Sequence, residues 1–419
     1  MIKRKRLLAV GLVAVLGFAA AACGDDDDST GGTGAPATSG APATSGAPAT
    51  SGAPATSGAP ATSGVPATSG APATSGAPGS TTPSTGSAPA GNEDLGEPLQ
   101  AGGAVEKIGL VFDAIGRGDG SFNDSAARGY DTAKEQLGVE GNEQVPAADG
   151  SDRADKLSLL CDDGYNPVIA VGFLFAEPLA QVAKECPDTS FGIVDATVDA
   201  PNVSGLVFAE HQGSFLVGAA AALKSETDHI GFIGGLQGSG LIERFQAGYE
   251  AGAKAVNPDI KVDVKYLGTT VDAFNDPAAA KTSTEAMIEG GADVIYSAAG
   301  QSGLGMFDAV KEANEAGNTV WAIGVDSDQG SEANAGVPND VKPYILTSMI
   351  KRVDVAVFET IRDVNDGNFK GGARLFDLAA NGVGYSTTGG HIDDIVPQLE
   401  DFKQQIIDGD IEVPDTPES

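Results

Sequence analysis

The segment KIGLVFDAIGRGDGSFNDSAARGYDTAKEQLG, which runs from Lys107 to Gly138, determines the predicted fold. Its β-branched and aromatic run, from Ile108 to Phe112, is typical of a buried strand. A glycine-rich loop follows, and then apolar residues recur at helical spacing until Gly138 ends the helix. A strand, a loop and a helix in this order begin a doubly wound α/β domain, in which ligands bind at the carboxyl edge of the sheet.

Two N-terminal segments are predicted to lie outside the folded part of this 419-residue chain. Residues 1–22 join a basic start to an apolar run, which is typical of an export signal peptide. The sequence AAAC ending at Cys23 is similar to a bacterial lipoprotein cleavage site, which predicts a lipid on Cys23. The alternative is an ordinary secreted protein cut near Cys23. Residues 23–104 contain seven hexapeptide repeats, six of GAPATS and one of GVPATS, and are predicted to be a disordered low-complexity spacer.

The rest of the chain, from residue 105, is long enough for a unit of two lobes rather than a single core. Short β-type runs alternate with helical patterns along it, which predicts parallel sheets and right-handed crossovers. The strand candidates are Pro167 to Phe173, Ser190 to Asp195, Val203 to Phe208, His229 to Ile233, Lys261 to Leu267, Asp293 to Ser297, Thr319 to Val325 and Tyr344 to Ser348.

The formal charge of −33 opposes nucleic acid as a partner, because binding to phosphates requires clustered lysines and arginines. Cys161 and Cys186 form an even pair once Cys23 is set aside, and each lies near the end of a predicted helix on either side of one strand. In an oxidising compartment this arrangement predicts a disulfide bond, with two buried free thiols as the alternative.

Four acidic residues end predicted strands, namely Asp113, Asp195, Glu210 and Asp326. Carboxylates at one sheet edge can bind a metal, take part in catalysis or accept hydrogen bonds from hydroxyl groups. We expect no metal site, because none of the three histidines has ligand spacing. A cation site built of oxygen ligands alone is the alternative, although the sequence has no EF-hand-like loop. We also expect no cofactor and no enzyme activity, because the chain has neither a nucleophile elbow nor a Walker loop.

A series of segments in a fixed order carries a family resemblance. The series comprises SFND, PVIAVGFLF, FGIVDA, FAEHQGSFLVGAAAAL, HIGFIGGLQGSGLIERFQAGYEAG, FNDPAAAK, GADVIYSAAGQSGLG, WAIGVDSDQ and LTSMIKRVDVAV. It resembles the basic membrane protein family of bacterial substrate-binding lipoproteins, which includes purine nucleoside receptors of ABC transporters. The resemblance covers nearly all of the chain from Val105 onward.

The resemblance implies a type I periplasmic-binding-protein fold, in which three crossovers join two α/β lobes around a ligand cleft. We expect lobe one to comprise residues 105–223 and 326–372, and lobe two residues 224–325 and 373–419. The resemblance also implies a location outside the cytoplasm, with a monomer anchored to the cell membrane through Cys23. The implied function is to capture a nucleoside, with a purine nucleoside as the expected ligand, and to deliver it to an ABC permease.

The ligand-binding residues implied by the resemblance come from both lobes. Asp113 matches an acid that accepts hydrogen bonds from the ligand, and Phe122 matches an aromatic that stacks on the base, with Asn123 as a polar contact beside it. Phe274 matches the second stacking aromatic, and Asp326 matches the acid that holds the ribose hydroxyls. For the two phenylalanines the alternative is core packing, but both lie in polar, loop-like surroundings.

Four further residues complete the predicted site. Lys351 matches a lysine near the ligand, and Glu177 stands where the family commonly has an aspartate. For both of these residues a solvated surface role is the alternative. Phe173 is expected to line the pocket, and Gly300 lies at a strand end where the backbone turns sharply or admits a ligand.

Three other functions compete with nucleoside capture. The same scaffold could bind a sugar or a small signalling molecule, since aromatic rings and acids also suit cyclic sugars. An exported enzyme acting on nucleosides would need a catalytic base in the cleft. A cytoplasmic regulator would need a helix-turn-helix ahead of Val105, where the sequence has only the spacer.

Overall fold

The computed structural model describes residues 95–113 and 115–418, which fold into two α/β lobes. The strands are β1 (Lys107–Val111), β2 (Glu140–Gln144), β3 (Val168–Ala170), β4 (Phe191–Val194), β5 (Val203–Phe208), β6 (His229–Leu236), β7 (Lys261–Gly268), β8 (Val294–Ala298), β9 (Trp321–Asp326), β10 (Ile345–Lys351), β11 (Gly372–Phe376) and β12 (Val383–Tyr385). The helices are α1 (Phe122–Leu137), α2 (Arg153–Asp162), α3 (Ala176–Glu185), α4 (Glu210–Lys224), α5 (Ile242–Val256), α6 (Pro277–Glu289), α7 (Gly303–Glu315), α8 (Val353–Asn365) and α9 (Val396–Asp408).

Each lobe is built on one six-stranded sheet. The first sheet has the order β11-β5-β4-β3-β1-β2, with every pair parallel. The second has the order β12-β10-β9-β8-β6-β7, and only β12 runs antiparallel to its neighbour. Helices connect most successive parallel strands, whereas β4 to β5 and β9 to β10 are joined without an α-helix. The predicted fold class, two doubly wound lobes of the type I periplasmic-binding-protein kind, is confirmed.

The chain crosses between the lobes three times: from β5 to α4, from β10 to α8, and from β11 to β12. These crossings differ from the predicted lobe boundaries. Residues 326–372 were expected in lobe one, but β10 pairs with β9 in the second sheet. Strand β11 pairs with β5 in the first sheet, although residues 373–419 were expected in lobe two. Apolar runs are alike in the two lobes, so sequence periodicity cannot assign a strand to one sheet or the other.

A short segment ahead of β1 is fastened to lobe one. The backbone nitrogen of Leu99 donates to Oε1 of Gln136 in α1 at 2.8 Å, and Leu99 is buried. The backbone nitrogen of Ala104 donates to the carbonyl of Asn365, at the end of α8, at 3.0 Å. The predicted signal peptide, Cys23 and most of the predicted spacer lie outside the described residues. Within 95–113 and 115–418, no helix combines the length and the apolar character that crossing a membrane requires.

Cys161 and Cys186 form a disulfide bond, with their Cα atoms 6.4 Å apart. Cys161 lies in the last turn of α2, and Cys186 directly follows α3. The bond therefore joins two neighbouring helices of lobe one at the ends remote from the carboxyl edge of the sheet. It closes a loop with a sequence separation of 25 residues.

Glycines allow α4 and α5 to pack with their backbones in contact. A Cβ atom on Gly252 would lie 1.9 Å from the carbonyl oxygen of Phe215, and one on Gly248 would lie 2.0 Å from that of His211. Both obstructing atoms belong to the backbone of α4, which cannot turn aside as a side chain can. This close approach fixes the position of the amino end of α5, which carries cleft residues.

We expect Gly252→Ala to lower the free energy of unfolding by roughly 1–3 kcal/mol, because the added methyl group forces α4 and α5 apart. Chemical denaturation measures this change. Gly384→Ala is the matched control, since a Cβ there would meet no atom within 4 Å. Equal stability of the two variants would contradict the proposed packing constraint.

Candidate ligand-binding cleft

A cleft lies between the two lobes, and side chains of both lobes line it. The cleft lies at the carboxyl ends of strands in both sheets, where doubly wound folds bind ligands. From lobe one it is lined by Asp113, Ile115, Asp119, Phe122, Asn123, Gly172, Phe173 and Asp195. From lobe two it is lined by Leu241, Ile242, Phe245, Phe274, Ala298, Gly300, Val325, Asp326 and Lys351.

The buried carboxylate of Asp119 organises the start of α1. It accepts hydrogen bonds from the backbone nitrogens of Ser121, Asn123 and Asp124 at 2.8–3.1 Å. These are amino-terminal N–H groups with no partner inside the helix. Burial raises the pKa of Asp119 to about 6, although these hydrogen bonds oppose the rise. Asp119 therefore fixes the loop that presents Phe122 to the cleft.

Asn123 holds the neighbouring strand end in place. Its side-chain nitrogen donates to Asp119 at 3.0 Å, and its side-chain oxygen accepts from the backbone nitrogen of Asp113 at 3.2 Å. The residue is 2% exposed. Its amide thus links α1 to the end of β1, in addition to lining the cleft.

Two aspartates occupy matching positions in the two lobes. Asp195 follows β4 in lobe one and Asp326 ends β9 in lobe two, and each has a φ of 64°. A positive φ is uncommon for residues other than glycine, and aspartate is among those that tolerate it best. Both side chains line the cleft.

Lys351, the last residue of β10, is surrounded by these carboxylates. Its Nζ lies 2.7 Å from Asp195 and 3.7 Å from Glu210, and its side chain is 2% exposed. The same ammonium lies 5.0 Å from the ring centroid of Phe122, which is within cation–π distance. The lysine therefore joins lobe two to an acid and an aromatic ring of lobe one.

The balance of charge in this cluster favours carboxylates. Burial alone would lower the pKa of Lys351, but Asp195, Glu210 and Asp326 together raise it. Burial raises the pKa of Asp326 despite the attraction of Lys351, and it raises the pKa of Glu210 to about 7. The ammonium of Lys351 thus lies among three acidic side chains, and Arg244 lies 3.6 Å from one of them, Glu210.

Aromatic side chains enter the cleft from both lobes. Phe122 and Phe173 come from lobe one, and Phe274 and Phe245 come from lobe two. Gly235 makes room for Phe274, because a Cβ at that position would lie 2.4 Å from the ring. Rings from two lobes can close on the faces of a flat ligand.

Hydrogen bonds cross between the lobes beside the cleft. The hydroxyl of Ser121 lies 2.8 Å from Oδ2 of Asp326, and the hydroxyl of Ser327 donates to the carbonyl of Ser121 at 3.1 Å. The side-chain nitrogen of Asn334 donates to the carbonyl of Gly120 at 2.8 Å. These contacts hold the start of α1 against the segment that follows β9.

The structure brings most of the predicted ligand-binding residues together. The exception is Glu177, which lies exposed in the first turn of α3 and does not line the cleft. The carboxylate that enters from this part of lobe one is Asp195, and its position at the end of the predicted strand FGIVD was the available signal. Asp119 and Phe245 were not predicted from the sequence either. Phe245 lies on the apolar face of an amphipathic helix, where a phenylalanine is usually a core residue.

Across the described ranges 95–113 and 115–418, no group of three or more metal-binding side chains is placed to hold an ion. The cluster of Asp195, Glu210 and Asp326 instead surrounds the ammonium of Lys351. Its chemistry is that of accepting hydrogen bonds and holding one buried cation.

Residues 105–417 match the family described as "ABC transporter substrate-binding protein PnrA-like". The chain belongs to this family, Bmp. It is therefore a substrate-binding protein of the ABC-transporter type, as the ordered sequence segments predicted.

Two curated relatives illustrate the range of the Bmp family. The ABC transporter nucleoside-binding protein BmpA of Lactococcus lactis is 36% identical over 328 residues, which cover 74% of this chain and 89% of that protein. An uncharacterized lipoprotein of Pyrococcus abyssi is 36% identical over 285 residues, covering 67% of this chain and 68% of that one.

A solved structure shares the fold of this Bmp protein. The ABC transporter solute-binding protein from Aeropyrum pernix aligns with a TM-score of 0.65 and 31% identity, covering 74% of this chain and 94% of that chain. The similarity extends over nearly the whole of that chain.

We expect the stability of this Bmp protein to depend on pH through Glu210. Its folded pKa of about 7 lies above the ordinary 4.5, because the ionised form is buried. The folded state thus binds the proton more tightly, and the resulting stability, complete below pH 4.5, is lost as the pH rises towards 7. Relative to Glu210→Gln, the wild type should lose on the order of 1–3 kcal/mol over this interval, as measured by denaturant unfolding.

Subtracting the two unfolding curves removes the contribution of every other titrating group that the substitution leaves unchanged. A stability difference that is constant from pH 4.5 to 7, or that grows in favour of the wild type, would contradict the assignment to Glu210.

Proposed function

We propose that this protein captures a nucleoside, most specifically a purine nucleoside, between its two lobes and delivers it to an ABC permease. The supporting observation is the cleft itself, which combines phenylalanines from opposite lobes with carboxylates that greatly outnumber ammonium groups. A nucleoside offers a flat base to the rings and hydroxyl donors to the acids. A relative of 36% identity is named as a nucleoside-binding protein, which supports the same ligand class.

Each residue has a proposed role in this capture. Phe122 and Phe274 stack on the base, and Phe173 packs at its edge. Asp326 and Asp195 accept hydrogen bonds from the ribose hydroxyls, with Lys351 holding Asp195 in place at 2.7 Å. Asp113 accepts from the base at the opposite end of the cleft, and Gly300 leaves space beside Phe274.

The proposed location is outside the cytoplasm, with the protein held at the membrane as a monomer by a lipid on Cys23. The AAAC sequence at residues 20–23 and the lipoprotein relative support this placement. The tandem repeats that follow would then separate the binding lobes from the membrane surface.

The ligand class is tested by isothermal titration with guanosine, inosine, adenosine, D-ribose, D-galactose and guanosine monophosphate. We expect binding of purine nucleosides and loss of binding to the monophosphate, because the phosphate would enter a cleft with an excess of carboxylates. Binding of either sugar with no heat from any nucleoside would overturn the proposed ligand while leaving the family assignment intact.

Asp195 and Glu177 provide a matched pair of substitutions. We expect Asp195→Asn to weaken guanosine binding roughly tenfold or more, because a charged acceptor in the cleft is lost. Glu177→Gln makes the same chemical change outside the cleft and should leave the dissociation constant unchanged. The reverse result, with Glu177→Gln weakened and Asp195→Asn unaffected, would contradict the assigned site; thermal melting verifies that both variants are folded.

A further inference from the structure

Arg153 is a buried cation beside the cleft, and it is not among the predicted ligand-binding residues. It is the first residue of α2 and is 9% exposed. Its Nη2 lies 4.0 Å from Oδ1 of Asp113, which lines the cleft. Its guanidinium also lies 5.6 Å from the ring centroid of Phe175, within cation–π range.

Two donor atoms of this guanidinium, Nε and Nη2, are buried without a hydrogen-bond partner. The remaining contact is long, since Nη1 donates to the carbonyl of Gly150 at 3.5 Å. Leaving buried donors unsatisfied is destabilising, so such an arrangement calls for a reason.

The loop before α2 is shaped around this side chain. Gly150 has a φ of +68°, and a Cβ atom there would lie 1.8 Å from Nη1 of Arg153. The backbone therefore makes space for the guanidinium instead of leaving it in solvent. A buried arginine held at this distance from a cleft carboxylate is placed to act on that carboxylate.

We propose that Arg153 is a positioning residue for ligand binding that acts through Asp113. The proposal rests on the proposed function, since it assigns a partner to one acid of the same cleft. A small movement brings one oxygen of Asp113 into hydrogen bonding with the unpartnered donors of Arg153. The other oxygen of this carboxylate then faces the donors of the bound nucleoside. Arg153 itself need not touch the ligand.

A double-mutant cycle tests this coupling, with guanosine as the probe. Arg153→Met removes the charge but keeps most of the volume, and should weaken binding roughly 10- to 100-fold. Arg153→Lys restores the charge and should recover part of the affinity. The double variant Arg153→Met with Asp113→Asn should bind no more weakly than Asp113→Asn alone, because Arg153 has no effect without its carboxylate.

The same cycle has a readout that needs no ligand. Asp113→Asn removes a carboxylate 4.0 Å from a buried guanidinium, which should be destabilising. Adding Arg153→Met removes that charge, so the double variant should melt at a higher temperature than Asp113→Asn. A wild type that gives no heat with guanosine would contradict the proposed function alone, while this melting comparison would still test the pair.

Arg362→Met is the control, because Arg362 is also in lobe one and pairs with Glu359 at 2.9 Å, away from the cleft. It should leave guanosine affinity unchanged. The proposal is overturned if the effects of Arg153→Met and Asp113→Asn simply add in binding and in melting. It is also overturned if Arg153→Met binds guanosine as the wild type does.

Discussion

The buried ion pair between Lys351 and Asp195 joins the two lobes, and the arrangement of the cleft depends on it. Lys351 ends β10 in lobe two, Asp195 follows β4 in lobe one, and Glu210 begins α4 directly after the first crossing between lobes. A buried lysine requires carboxylate partners, and buried carboxylates require a cation. Satisfying both places the ends of two sheets side by side and forms one wall of the cleft.

Much of the fold follows from the sequence, because most strands are buried on both faces and read as continuous apolar runs. The strands that were not predicted lack this signal. Strand β2 has the sequence EGNEQ, lies at a sheet edge and is largely open to solvent. Strand β11 is also an edge strand, and its Leu375 is 56% exposed. The assignment of some strands to lobes was wrong for a different reason. An apolar sequence indicates that a strand is buried, but it does not indicate which of the two sheets the strand joins.

The site was predictable where a functional group stands in a polar sequence, as Phe122 does in SFND and Phe274 does in AFND. It was less predictable where the group lies inside a helix with an apolar face or among other charged residues. Phe245 is indistinguishable from a core residue of an amphipathic helix, and Arg153 stands among acidic residues, as an exposed arginine would. Asp195 was recognised as an acid at a strand end, yet family resemblance directed attention to Glu177. The structure shows that the end of β4 reaches the cleft and that the first turn of α3 does not.

The docking of residues 99–104 on lobe one has a mechanical consequence. Leu99 bonds to Gln136 in α1, and Gln100 and Ala104 bond to Asn365 at the end of α8; both helices belong to lobe one. The described residues ahead of β1 thus attach to lobe one through these hydrogen bonds. A rotation of lobe two about the three crossings would leave that attachment point stationary with respect to lobe one.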